Sequence, residues 1–122
     1  MKERGVDVLL APAYVGVAPE LATGQYWLYT AIWNILDQPA VTFPTGLKAD
    51  PNVDVVETDY TPRSAEDERE YKKSRKGASV DTSVDIPDKF IGAPIALQVV
   101  GKHFRDEDTM AAAEMISKII QE

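Results

Sequence analysis

Residues 26–46 read Tyr26-Trp27-Leu28-Tyr29-Thr30-Ala31-Ile32-Trp33-Asn34-Ile35-Leu36-Asp37-Gln38-Pro39-Ala40-Val41-Thr42-Phe43-Pro44-Thr45-Gly46. Tyr26 to Leu36 has the length of a helix and almost no polar face, and a helix that is apolar all round belongs in an interior. Asp37-Gln38-Pro39 ends it, because the residue before a proline is pushed out of helical space. Ala40 to Pro44 then reads as a strand, with Thr45-Gly46 as its turn. A buried helix running straight into a strand places the chain among α/β folds.

Working outward, Val6-Asp7-Val8-Leu9-Leu10-Ala11-Pro12 is a short apolar run stopped by a proline, the pattern of a strand buried on both faces. Ala13 to Gln25 carries Gly16, Pro19 and Gly24 among small residues and reads as a loop. Beyond the opening stretch, Ile95-Ala96-Leu97-Gln98-Val99-Val100-Gly101 is a third strand. Asp106 follows where an N-cap belongs, with Glu107 and Asp108 in the first turn of a helix. Ala112, Met115, Ile116 and Ile119 recur at helical spacing, so that helix is expected to lie on a sheet. Residues 48–89 differ in kind: they hold 11 of the 20 acidic and 8 of the 13 basic residues. They read as a charged insertion, with one exposed helix from Ser64 to Lys76, capped by Ser64 and Asp67 and closed by Gly77. Disorder is an equal reading for the rest of that segment. The sequence has no internal repeat.

The chain has 122 residues, 44% of them hydrophobic, enough for one domain with a core. A net charge of -7 argues against a nucleic-acid partner, which would need clustered Lys and Arg to displace counterions. The absence of cysteine removes disulfides, thiolate nucleophiles and thiolate metal sites together. No run approaches the roughly 18 apolar residues of a membrane span, and Met1 to Pro12 does not read as a signal peptide, so a soluble cytoplasmic chain is expected. A buried strand starting at residue 6 has nothing before it to cover it. Either Met1 is not the natural start or another chain covers that strand.

Chemistry is sparse. His103, the single histidine, stands in a strand-to-helix loop with no second His or Cys to share a metal, and reads as surface. Glu66-Asp67-Glu68 and Asp106-Glu107-Asp108 read as solvated or capping carboxylates, not an acid–base pair. The basic run Lys72-Lys73-Ser74-Arg75-Lys76 follows Glu66 to Glu70 at helical pairing distance, the pattern of a solvated helix face. Ser64, Ser74, Ser79, Ser83 and Ser117 all lack the glycine-rich setting of a nucleophile.

Three strings in order change that reading: Val6 to Pro12, Tyr29 to Pro44, and Gly92-Ala93-Pro94-Ile95-Ala96-Leu97-Gln98-Val99-Val100-Gly101. Together they look like the closing portion of amidase-signature enzymes. The Trp33-Asn34 and Leu36-Asp37-Gln38-Pro39-Ala40 words are more similar to fungal general amidases (acetamidases) and fatty-acid-amide-hydrolase-like enzymes than to bacterial amidotransferase subunits. The resemblance implies an α/β partial amidase-signature fold: edge strands of a mixed sheet, a buried helix and a C-terminal amphipathic helix. Residues 1–122 would be the C-terminal portion of that domain, with 48–89 a mobile insertion. Family members use a lysine, a bridging serine and a nucleophilic serine through an acyl-enzyme, with no cofactor and no metal. All three groups lie upstream of the matched region, so no catalytic residue is carried over.

For the matched positions the resemblance implies support of the fold: Trp33, Asn34, Asp37, Pro39, Ala40, Pro44, Pro94, Gln98 and Gly101. Asn34 is expected to tie the helix end to the loop by hydrogen bonding, and Pro39 to fix the approach to the next strand. Trp33 and Tyr29 are expected in the core. Tyr60 and Tyr71 fall where some relatives border the acyl pocket, and are the candidates for touching substrate. The expected function is the C-terminal part of a hydrolase of small carboxylic amides, inactive alone and meeting substrate only with its catalytic portion. The rival expectation is a truncated, non-catalytic paralogue serving as a binding or regulatory module.

Overall fold

A computed structural model describes residues 1–19, 21–22, 24, 26–50, 52–54, 60–75 and 90–122. After a 3-10 turn at Lys2–Arg4 come β1 (Leu9–Pro12), α1 (Leu28–Ile35), β2 (Ala40–Lys48), α2 (Ala65–Arg75), β3 (Pro94–Val100) and α3 (Asp106–Gln121). They form two compact units, one of Met1–Leu47 with Pro94–Glu122 and one of Lys48–Ala93.

The first unit is an α/β body built on a three-stranded sheet in the order β1-β3-β2. β1 runs antiparallel to β3, with Leu10 opposite Val99 and Ala11 opposite Gln98. On the other side, Gly101 N–H donates to the Pro39 carbonyl at 2.9 Å. The Thr45 hydroxyl donates to the Ile95 carbonyl, also at 2.9 Å. Partners therefore descend along β3 as β2 ascends, and this pair is antiparallel too. The central position of β3 explains its largely apolar run, interrupted only by Gln98, since Gln98, Val99 and Val100 are fully buried.

On one face α3 closes a small core of Phe43, Val99 and Ala113, edged by Val8, Val41, Leu97, Ala112 and Ile116. The helix turns Thr109 and Ala113 inward, while Met115 and Ile119 are each 65% exposed. The expected face was therefore off by a fraction of a turn: Ala112 and Ile116 belong to it, Met115 and Ile119 do not. The cause is Gly101, whose missing side chain lets Thr109 settle against the end of β3 and sets the rotation of the helix. Arg105 rather than Asp106 occupies the N-cap position, without a side-chain cap. Thr109 satisfies the free Arg105 carbonyl with both its N–H (3.0 Å) and its hydroxyl (2.6 Å). Asp106, Glu107 and Asp108 fill the first turn, where their charge favours the helix dipole.

Three other expectations are corrected. β1 is shorter than Val6 to Pro12 and is not buried on both faces: it is an edge strand, and Leu10 is 51% exposed. α1 spans Leu28–Ile35, and none of its residues is buried. Only Tyr29, Ala31 and Trp33 are half-covered, because within this unit the helix meets the sheet on one side alone. Thr45-Gly46 does not end β2, which continues to Lys48. Gly46 takes a φ of +85°, and buried Thr45 accepts the Leu47 N–H at 3.1 Å, so the irregularity is absorbed within the strand.

In the second unit, Ser64 caps α2 as its sequence predicts, its hydroxyl accepting the Asp67 N–H at 3.1 Å. The Asp67 carboxylate reaches back to the Arg63 N–H at 2.8 Å. Lys72 pairs with Glu68 one turn away at 2.5 Å. At the base of the unit, Ala49 N–H donates to the Ala93 carbonyl and Gly92 N–H to the Ala49 carbonyl, both at 2.9 Å. The expected closure of α2 at Gly77 lies outside the described residues, as do Ser79 and Ser83.

Candidate functional site

The sequence motifs converge where α1 ends. Ile35 is the last helical residue and Leu36 its cap. Asp37 N–H then donates to the Asn34 carbonyl at 3.2 Å, and Gln38 N–H to the Trp33 carbonyl at 3.0 Å. That pair of backward bonds is a Schellman closure, which requires a left-handed residue after the cap. Asp37 supplies it with a φ of +51°. Aspartate is one of the few non-glycine residues that tolerate this conformation. Pro39 then forbids any return to helix and presents its carbonyl to Gly101. At Asn34 it is the backbone carbonyl that meets the loop, accepting the Asp37 N–H; among the described residues the side-chain amide makes no hydrogen bond.

His103 secures this corner. Its Nδ1 lies 2.7 Å from the Asp37 carbonyl oxygen and 3.1 Å from the Asp37 carboxylate. A carbonyl only accepts, so Nδ1 is the protonated ring nitrogen. The ring also meets Phe104, at 3.7 Å between centroids. Trp33, Asn34, Asp37, Gln38, Pro39, His103, Phe104 and Asp106 together line a shallow concavity of about 390 Å³. The Trp33 indole N–H is itself buried, without a hydrogen-bond partner among the described residues. A second concavity, of about 270 Å³, lies between Asp7 and α3. Its charged walls are matched: Lys102 pairs with Asp7 at 3.1 Å, and Arg105 pairs with Asp108.

Gln98 is the most constrained of the motif residues. Its side chain is buried and its amide nitrogen donates twice, to the Pro12 carbonyl at 2.7 Å and to the Tyr29 carbonyl at 2.6 Å. One side chain thus joins the end of β1, the middle of the sheet and the first turn of α1. Pro94 accepts the Ala18 N–H at 3.1 Å, and Pro44 accepts the Gln121 side chain at 2.6 Å. Ala40 opens β2. The sequence reading overlooked the His103–Asp37 contact, because nothing in a linear pattern brings residue 103 to residue 37.

Tyr60 and Tyr71 meet in the second unit, their rings stacked at 4.0 Å. The Asp67 carboxyl is held below its ordinary value of 3.8, first by the Arg63 backbone hydrogen bond, then by a hydrogen bond with Tyr60 and the Arg63 charge. Ser64 is occupied as a cap, and Ser117 sits on α3, where it accepts from Gln121 at 3.2 Å. Among the described residues, no group of three or more His, Cys, Asp or Glu could hold a metal. Nor is any described helix long and apolar enough to cross a membrane. The arrangement can position backbone and close a sheet; neither Ser64 nor Ser117 stands beside a base.

A sequence model of the amidase family, described as Amidase, matches residues 1–110. A Schizosaccharomyces pombe protein named as an amidase is 38% identical over 116 residues, which is 95% of this chain and 20% of that protein. An acetamidase of Aspergillus oryzae is 31% identical, over 94% of this chain and 19% of its own length. Among solved structures, a fatty acid amide hydrolase superposes with a TM-score of 0.77 at 34% identity. That match covers 98% of this chain and 20% of the hydrolase. The chain therefore spans about a fifth of the length of the relatives it matches.

Proposed function

The chain belongs to the amidase family, and from that premise we propose that it is the C-terminal portion of a hydrolase of small carboxylic amides. Its part is to complete the sheet while the catalytic groups lie elsewhere in the fold. The observation that carries this reading is the one-fifth match combined with the fate of Ser64, which caps α2, and of Ser117, which accepts from Gln121 along α3. In the complete enzyme, the nucleophilic serine would pass its proton through a bridging serine to a neutral lysine and attack the amide carbonyl. Backbone N–H groups would hold the oxyanion, the amine would leave with a proton, and water would release the acid from the acyl-enzyme. Tyr60 and Tyr71 are proposed to contact the amide, and the cytoplasm is the proposed location.

The test is a chimera in which this chain replaces the matched segment of the Schizosaccharomyces pombe relative, assayed on short aliphatic and aryl amides. The chimera is expected to hydrolyse them and the isolated chain is not. Turnover by the isolated chain that survives replacement of every serine by alanine would overturn the proposal. A folded chimera without hydrolysis would do the same.

A further inference from the structure

We infer that the concavity at the end of α1 is a binding site for a small organic ammonium ion. It belongs to the first unit and holds about 390 Å³, drawing Trp33, Asn34 and Asp37 from the end of α1 and His103, Phe104 and Asp106 from the approach to α3. That volume falls in the range of small-molecule sites. Two carboxylates line it, Asp37 and Asp106, and among the described residues of its wall there is no lysine or arginine. The basic residues nearest in sequence are engaged elsewhere, Lys102 with Asp7 and Arg105 with Asp108. Asp37 meets His103, which adds no charge while its ring is neutral. The concavity is therefore net negative, with no cation of the described chain to balance it.

Aromatic rings stand beside those charges. Phe104 is 81% exposed, and its ring is held against that of His103 at 3.7 Å between centroids. A ring left so open gains little from burial, and its backbone adds a cost, since a φ of +57° is an outlier for a bulky residue. Strain of this kind gathers at ligand sites. His103 is fixed in turn by its 2.7 Å bond to the Asp37 carbonyl, so ring and carboxylate are carried by one connected corner. Trp33 supplies a second ring to the wall. The Asn34 side-chain amide, unbonded among the described residues, supplies a free acceptor oxygen.

The class of ligand follows by elimination. An anion is repelled by Asp37 and Asp106. A wholly apolar molecule would strip water from both carboxylates and give nothing in return. A metal ion needs a group of three or more His, Cys, Asp or Glu, and the described residues provide none. An ammonium joined to an apolar body meets every part of the wall: its charge faces the carboxylates, its N–H groups reach the Asn34 oxygen, and its cationic centre lies against an aromatic face. The concavity between Asp7 and α3 lacks this character, because Asp7 and Asp108 are already paired there. An amine of this class is also what the cleavage of an amide releases, yet its binding here is separate from the hydrolase reading and calls on no catalytic group.

To test this, benzylammonium chloride is titrated into the isotope-labelled chain at about pH 8, where an imidazole is ordinarily neutral, and followed by nuclear magnetic resonance. Benzyl alcohol and benzoate serve as the neutral and anionic counterparts. Benzylammonium is expected to bind with a Kd of about 1 mM, moving the amides of Asn34, Asp37 and Phe104 and the indole N–H of Trp33. Both counterparts should bind at least about tenfold more weakly. Asp37→Asn removes the charge, keeps the carbonyl that His103 bonds, and tolerates the left-handed backbone. Phe104→Gly removes the ring and suits the φ of +57°. Each should weaken binding at least about threefold, the scale of one exposed cation–π contact or ion pair, with the thermal midpoint kept or raised. Asp7→Asn, in the other concavity, should leave it within about twofold. Equal binding of benzyl alcohol, affinity unchanged in both corner variants, or shifts centred away from the corner would each overturn the inference. Binding by the chain alongside a chimera that hydrolyses no amide would keep the site and remove the hydrolase reading. A hydrolysing chimera and a chain that ignores benzylammonium would do the opposite.

Discussion

Gly101 and Thr109 are in contact so close that a Cβ built on the glycine would lie 1.7 Å from the threonine hydroxyl and 2.9 Å from its Cβ. The hydroxyl cannot swing away freely, because Thr109 is fully buried and bonded to the Arg105 carbonyl. Gly101→Ala should therefore destabilise the first unit by about 3 kcal/mol, as overpacked cores do. Thr109→Ala should restore only part of that loss, since its own Cβ remains in the way; urea midpoints of the four-member cycle would show it. Gln98→Leu leaves the Pro12 and Tyr29 carbonyls without their donor and should cost about 2 kcal/mol. Because the amide joins α1 to the sheet, hydrogen exchange in that variant should rise first in α1. Both residues were legible as letters of a motif. Their partners were not, since alternation along a strand gives the face a side chain points to but not which distant carbonyl waits there.

At the scale of elements, the clearest success of local reasoning is the start of α2, where Ser64 and Asp67 sit three residues apart and satisfy each other's stretch of backbone. The depressed pKa of Asp67 gives the cap a pH dependence. A carboxylate whose folded value lies below its unfolded one contributes stability that is complete above the unfolded value and disappears as pH falls through the folded one. The cap should therefore hold above the ordinary 3.8 and be lost below it. Asp67→Asn should flatten the acid-side loss of helical signal from α2, read residue by residue from amide chemical shifts. Sequence patterning was less able to fix helix rotation and strand length. In α3 it grouped Met115 with Ile116, because the apolar stripe of a helix is about 100° wide or more and adjacent residues about 100° apart can mark its two edges; only the Gly101–Thr109 contact decides which edge turns inward. In β2 it stopped at Thr45-Gly46, because a glycine that ends a strand and one that sits inside it look alike until the hydrogen bonds are known. α1 misled for a different reason: its sequence describes a fully enclosed helix, and this chain encloses only one side.

For the molecule as a whole, the order of elements and the α/β class were legible because three apolar runs and one amphipathic helix are local signals. The pairing of β1 and β2 on either side of β3 was not, being a matter of long-range closure. The site was legible only as a resemblance, and the structure turned its letters into a Schellman corner, a glutamine bridge and a helix seat. The two hydrogen bonds between Ala49 and the Gly92-Ala93 backbone have a further consequence. They bring Ala49 together with Gly92 and Ala93, the residues that bound the stretch from 50 to 91 in sequence. Replacing that stretch by a four-residue turn, a roughly tenfold shortening, should leave the first unit's melting cooperative and raise its stability by about 2 kcal/mol through reduced loop-closure entropy. The Ala49–Ala93 pairing is thus a place where sequence can be inserted, exchanged or removed at little cost.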